Sequence, residues 1–153
     1  MLHEDHPESM VALLRYIYGL PYGELLTDGD TLLRSYAVIY IVADKYQVKG
    51  LKLAVSNSMK REISSWDILG NHNLESFTRD SLEALSIVIN GTTFSNQLAR
   101  KVMVEGCVMN MRHLQQQPAL ISLLRSSADL GAEMIGHKNL ECGLPGAWVC
   151  GQE

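Results

Sequence analysis

The run Tyr36-Ala-Val-Ile-Tyr-Ile-Val-Ala43 is apolar on every side. A stretch with no polar face has to be surrounded, so the element it forms sits at the centre of a core. Its β-branched and aromatic residues also suit a buried strand. Length decides between the two. The apolar pattern extends from Leu32 to Tyr46, about fifteen residues, which predicts a helix. The uninterrupted run is far short of the ~20 residues needed to cross a bilayer, so no membrane passage is expected.

The segments around it also read as helices. Asp5-His6-Pro7-Glu8 is a helix start, with Asp5 as cap, Glu8 closing a capping box and Pro7 in the first turn. Met10, Leu13, Leu14 and Ile17 then fall on one face, with Val11 and Tyr18 beside it, and Gly19-Leu-Pro-Tyr-Gly23 ends the helix. The central helix follows Asp30. A third begins near Lys49, with Leu51, Ala54, Val55, Met59 and Ile63 as its apolar stripe. Residues 64–78 read as a connection with one helical turn. Asp80-Ser-Leu-Glu83 is a second capping box, opening a helix with Leu82, Leu85, Val88 and Ile89 inward that ends at Asn90-Gly91. A fifth helix runs from about Ser95 to His113 with Leu98, Val102, Met109 and Leu114 on its face. Pro118 opens the last, carrying Leu120, Leu123, Leu124, Leu130 and Met134; beyond Gly136 the pattern fails. The expected fold class is all-α, with about six helices and short connections.

The 153 residues suit one domain, and 46% hydrophobic content with a net charge of -4 argues against disorder. Three cysteines, Cys107, Cys142 and Cys150, cannot all pair, and no basic stretch followed by an apolar run opens the chain. A reducing compartment, cytoplasm or nucleus, is the expected location.

Three motifs carry a family resemblance. They are His3-Glu-Asp-His-Pro-Glu8, then Leu13-Leu-Arg-Tyr-Ile-Tyr-Gly19, then Tyr40-Ile-Val-Ala-Asp-Lys-Tyr46 with Val48-Lys-Gly-Leu-Lys52. In this order and spacing, residues 1–63 resemble the C-terminal half of a BTB/POZ domain of the fungal type. Residues 64–136 resemble the helical extension that follows many such domains, and 137–153 form a loosely ordered tail. The resemblance implies a protein–protein interaction module acting as an adaptor. Some members dimerise, some present substrates to a cullin-type ubiquitin-ligase scaffold, and some regulate transcription. The family's N-terminal half, with its sheet and most of its dimer interface, has no counterpart in this sequence. The resemblance therefore implies an uncovered apolar face, and a chain that self-associates or is marginally folded. It also points to Tyr16, Tyr18, Leu20 and Tyr22 as protein-interaction residues, with Tyr18 at the family's docking turn. Aromatic residues at a helix exit suit an interface hot spot; tyrosines packed with only their hydroxyls at the surface are the competing reading. Two other readings compete with the adaptor: a remnant without its own binding activity, and a small helical nucleic-acid-binding regulator.

The remaining candidates favour plain readings. His3-Glu-Asp-His6 gathers metal-ligand types, but four adjacent residues do not converge into a tetrahedron. The gap between Cys142 and Cys150 is wrong for a metal knuckle, and Cys107 fits a small buried hydrophobe. Lys45, Lys49, Lys52, Lys60 and Arg61 form a basic segment, but it lacks aromatic interleaving and fits a solvated helix face, so a nucleic-acid partner is not expected. Asn90-Gly-Thr92 matches a glycosylation pattern but reads as a helix end. No nucleophile elbow or phosphate-cradling glycine loop is present, so an enzyme is not expected, and neither a cofactor nor a metal.

Overall fold

The apolar run forms the central helix α2 (Leu32–Lys45), as its length predicts. Leu33, Tyr36, Ala37, Ile39, Tyr40, Val42 and Ala43 are all buried. The computed structural model describes residues 6–26, 32–66, 74–92 and 97–141. Before α2 come α1 (Pro7–Ile17) and a short 3-10 turn (Gly23–Leu25); after it come α3 (Lys49–Trp66), α4 (Leu74–Gly91), α5 (Gln97–Met109), α6 (Met111–Leu114), α7 (Pro118–Ser126) and α8 (Ala128–Glu141). Among the described residues there is no strand, so the all-α class holds.

Among the described residues eight α-helices replace the six expected, and the breaks have local causes. The fifth splits at Asn110, which leaves helical geometry (φ -98°, ψ 17°) while its side-chain amide donates to the Gly106 carbonyl at 2.9 Å. The sixth splits at Ser127, which is extended (φ -133°, ψ 92°). Serine competes poorly for helical backbone, and Asp129 then favours a fresh first turn. Helix α8 continues to Glu141, past the expected start of the tail at residue 137, and residues 142–153 lie outside the described residues. At the first helix the capping position is His6, whose side chain makes no cap bond; Asp5 lies outside the described residues. Pro7 occupies the first turn as expected.

Packing radiates from α2, which lies against α4, α3 and α1; α5 lies against α3, α4 and α8, and α7 against α8. One hydrophobic cluster runs from Ala12 to Met134, so residues on both sides of position 63 share a core. The expected stripes of α3 and α4 are buried at Leu51, Val55, Met59, Ile63, Leu82, Leu85 and Val88. On α5 the face is rotated from expectation. Ala99, Met103 and Cys107 are buried beside Val102, while Leu98 and Met109 face solvent. The α5–α8 contact includes an ion pair, Arg100 Nε to Glu133 Oε2 at 2.9 Å, in which the arginine side chain is only 7% exposed.

Asp80 departs most from its expected role. It caps no helix of its own, since α4 begins six residues earlier at Leu74. Its buried carboxylate instead accepts hydrogen bonds from the N–H groups of Leu33 (2.8 Å) and Arg34 (3.0 Å), orphan donors in the first turn of α2. Burial pushes its carboxyl up to about 6, outweighing these two bonds, which act in the opposite direction.

Candidate functional site

The four tyrosine- and leucine-bearing positions singled out in sequence lie at the exit of α1, and a helix-ending motif sets their directions. The N–H of Gly19 donates to the Tyr16 carbonyl at 3.0 Å, and that of Leu20 donates to Arg15 at 2.8 Å. This double closure is a Schellman motif, which needs a left-handed residue after the cap. Gly19 supplies it at φ 72°. The chain reverses there, and the Arg15 guanidinium holds the returning strand of loop. Its Nε donates to the Pro21 carbonyl at 2.8 Å, and its terminal nitrogen pairs with Glu24 at 2.6 Å.

The reversal divides the four positions into two pairs. Tyr16 and Tyr22 turn inward and meet edge-to-face, with centroids 6.2 Å apart and planes at 69°. Tyr22 Oη lies 3.1 Å from Ser58 Oγ on α3. The hydroxyl end of Tyr16 sits over Gly50, where a Cβ would collide with it, so Gly50 permits this close approach. Tyr18 and Leu20 point outward, at 78% and 53% exposure.

The exposed pair does not stand alone. Val11, Leu14 and Ile17 of α1 are also exposed, between 45% and 58%. The sequence reading placed Leu14 and Ile17 on the inward face, and the structure corrects this. The buried stripe is Ser9, Ala12 and Leu13 with Tyr16 half-buried, at the i, i+3, i+4, i+7 spacing. Ser9 and Ala12 put small side chains on the buried side of α1, which packs against α2, and the bulky stripe through Leu14 faces the opposite way. The missed signal was size, because apolar residues cover both sides of α1 and only one side has small ones.

No protein-family model, no curated protein and no solved structure matches this chain. The assignment of a role to this surface therefore rests on its own geometry and chemistry.

The other candidates fall into place locally. Within the motif around residues 40–52, Tyr40, Asp44 and Lys52 converge. Lys52 Nζ pairs with Asp44 Oδ1 at 2.8 Å and lies 6.0 Å from the Tyr40 ring centroid. Burial pushes the Tyr40 hydroxyl above its ordinary value, opposed by the Ala99 backbone and by Lys52. Lys52 is thus engaged inward, and Lys49, Lys60 and Arg61 are spread along exposed positions of α3. Cys107 is buried, and desolvation pushes its thiol up to about 12. Cys142, Cys150, His3, Glu4 and Asp5 lie outside the described residues. Among the described residues, no three His, Cys, Asp or Glu side chains gather to hold a metal. None of the described helices is long and apolar enough to cross a membrane. At the glycosylation-like triplet, α4 runs through Gly91, and Thr92 Oγ1 donates to the Val88 carbonyl at 2.5 Å. A cleft of about 320 Å³ lies beside the starts of α1 and α2, lined by His6, Glu8, Leu26, Arg34 and Val38. The Arg34 guanidinium pairs with Glu83 at 3.4 Å on the flank of α4.

Proposed function

We propose that this chain is a protein–protein interaction module whose binding surface is the outward side of α1 and its exit turn. One observation carries the reading: Val11, Leu14, Ile17, Tyr18 and Leu20 form an exposed apolar surface on the side of α1 away from the core. The largest exposed apolar patch of a protein is often functional, and the tyrosine at its end is a residue type enriched at interface hot spots. The resemblance of residues 1–63 to the C-terminal half of a BTB/POZ domain supports an adaptor role. On that reading, recruitment to a cullin-type ubiquitin-ligase scaffold or participation in transcriptional regulation is the finer proposal.

Affinity co-purification of the full chain from cells, read by mass spectrometry, tests this. Tyr18→Ala should deplete specific partners at least about tenfold, as expected for loss of a hot-spot side chain. Recovery of the same partners at the same level with Tyr18→Ala and with Leu14→Asp would overturn the assignment of the surface.

A further inference from the structure

The exit turn of α1 is pinned to α3 at two points. Tyr16 brings its hydroxyl end against Gly50, and Tyr22 Oη lies 3.1 Å from Ser58 Oγ. Leu20, which is exposed, lies in the chain between these two anchors. The outward surface of α1 therefore runs onto the face of α3 that flanks those contacts. That face carries Lys49, Leu53, Lys60 and Arg61, all exposed. With about 100° between successive residues, Arg61 lies about 20° from Gly50 around the helix axis and Leu53 about 60°. Lys60 and Lys49 then lie about 20° and about 40° from Leu53. The charges of this face have one sign. Among the described residues, Lys49, Lys60 and Arg61 take part in no ion pair. The acids closest in the chain to the two turns are already used, Asp44 by Lys52 and Glu24 by Arg15. Glu62, the one acid of α3, lies about 180° from Leu53 around the axis. A solvated helix face accounts for the cations taken alone. Their junction with Leu53 and the exit turn is what selects a partner.

From this junction we infer that the partner of the α1 surface is a protein segment both apolar and acidic, with its apolar side chains on Tyr18, Leu20 and Leu53 and its carboxylates against Lys49, Lys60 and Arg61. This rests on the reading of α1 and its exit turn as the interaction surface and gives the partner its chemistry. Lys49 and Lys60 are about 16 Å apart along the axis, so one short segment reaches all three cations. Charges beside an apolar contact steer the encounter and fix its orientation. A nucleic acid or an anionic membrane fits less well. Three cations are few for an extended polyanion, and the net charge of -4 opposes its approach. Phosphates also offer no apolar complement to Leu20 and Leu53.

Peptide display on the immobilised full chain tests this, with random linear peptides as the probe. The expected winners carry an excess of Asp and Glu around leucine or aromatic residues, and synthetic copies of them should bind more weakly as salt rises. Tyr18→Ala should weaken that binding at least about tenfold, and so should Lys60→Glu combined with Arg61→Glu. Arg125→Glu, the same charge reversal at an exposed position of α7, should leave it unchanged. Circular dichroism confirms that the variants keep their helices, and Lys49→Gln reads the same contact if the double reversal fails to fold. Winners without acidic excess, an affinity indifferent to the reversals on α3, or no enrichment at all overturns the inference. So does a DNA duplex, or a phosphatidylcholine vesicle containing phosphatidylserine, that binds through these cations as tightly as the selected peptides. The two readings also separate. Peptides lost with Tyr18→Ala but kept by the double reversal overturn the acidic partner and leave the interaction surface standing. Peptides indifferent to both Tyr18→Ala and Leu14→Asp overturn the surface itself.

Discussion

Helices α1 and α2 are equally rich in apolar residues, and they end in the same way. In α2 the N–H of Gln47 donates to the Asp44 carbonyl at 3.0 Å and that of Val48 donates to Ala43 at 2.8 Å, repeating the double closure of α1. Yet α2 is enclosed by α1, α3 and α4, whereas among the described elements α1 packs mainly against α2 and the short 3-10 turn. Hydrophobic content thus does not decide burial. The number of neighbours does, and α1 comes first among the described helices with only α2 packed broadly along it.

The largest expected contrast is a pair of truncations. Tyr40→Ala removes a fully buried ring from α2 and should cost about 3–5 kcal/mol, a large part of a typical domain's stability. Leu14→Ala on α1 should stay within about 0.5 kcal/mol in dilute solution. Chemical denaturation of both checks this, and a Leu14→Ala cost near that of Tyr40→Ala would erase the distinction between the helices.

Next is the start of α2. Asp80→Ala leaves the buried Leu33 N–H without its acceptor and should cost about 2–3 kcal/mol. The same carboxylate has a pH signature. Its folded-state value, about 6, lies above the ordinary 3.8, so between these values the folded state binds more protons than the unfolded one. This contribution to stability is therefore full below the ordinary value and is lost as pH rises through about 6. Melting curves from pH 7.5 down to 5 should show the wild type gaining stability relative to Asp80→Asn. A difference that shrinks or reverses on acidification would show that the two hydrogen bonds, and not burial, dominate.

The smallest effects compare the two helix ends. Both need a left-handed residue, supplied by Gly19 at φ 72° and by Gln47 at φ 57°. A side chain costs about 1 kcal/mol there, so Gly19→Ala should destabilise by about that amount. Gln47→Gly relieves the same cost but forfeits the side-chain bond to the Asp44 carbonyl at 2.8 Å. It should stabilise by about 0.5 kcal/mol. Thermal melts resolve both signs, and two changes of the same sign would mean the ends are not equivalent.

The central helix, the starts at Pro7 and Pro118 and the apolar stripe at Leu51, Val55, Met59, Ile63, Leu82, Leu85 and Val88 were legible in sequence, because each depends on local periodicity or on proline. The remainder depends on what lies across the gap. Leu14 and Leu13 are the same residue type one position apart, and the side of α1 that meets the core, shared by Leu13 with Ser9 and Ala12, decides which is buried. Asp80 with Glu83 has the spacing of a local cap, but its partner donors are in another helix. The turns at Asn110 and Ser127 lie within otherwise helical patterns, so the single residues that interrupt them were not visible as breaks. At the candidate site, the grouping of Tyr16, Tyr18, Leu20 and Tyr22 at one helix exit was legible, but the inward or outward direction of each was not, since Gly19 sets it through the reversal it allows.

The carboxylate that completes the first turn of α2 stands 47 residues further along the chain than the amide it receives. During synthesis, α2 leaves the ribosome seconds before α4 at ~5–20 residues per second, with its leading amides still hydrated. The central helix of the core is therefore completed late, by long-range closure. A chain cut after residue 63 would carry the whole apolar sequence of α2 without the carboxylate that receives its Leu33 and Arg34 amides.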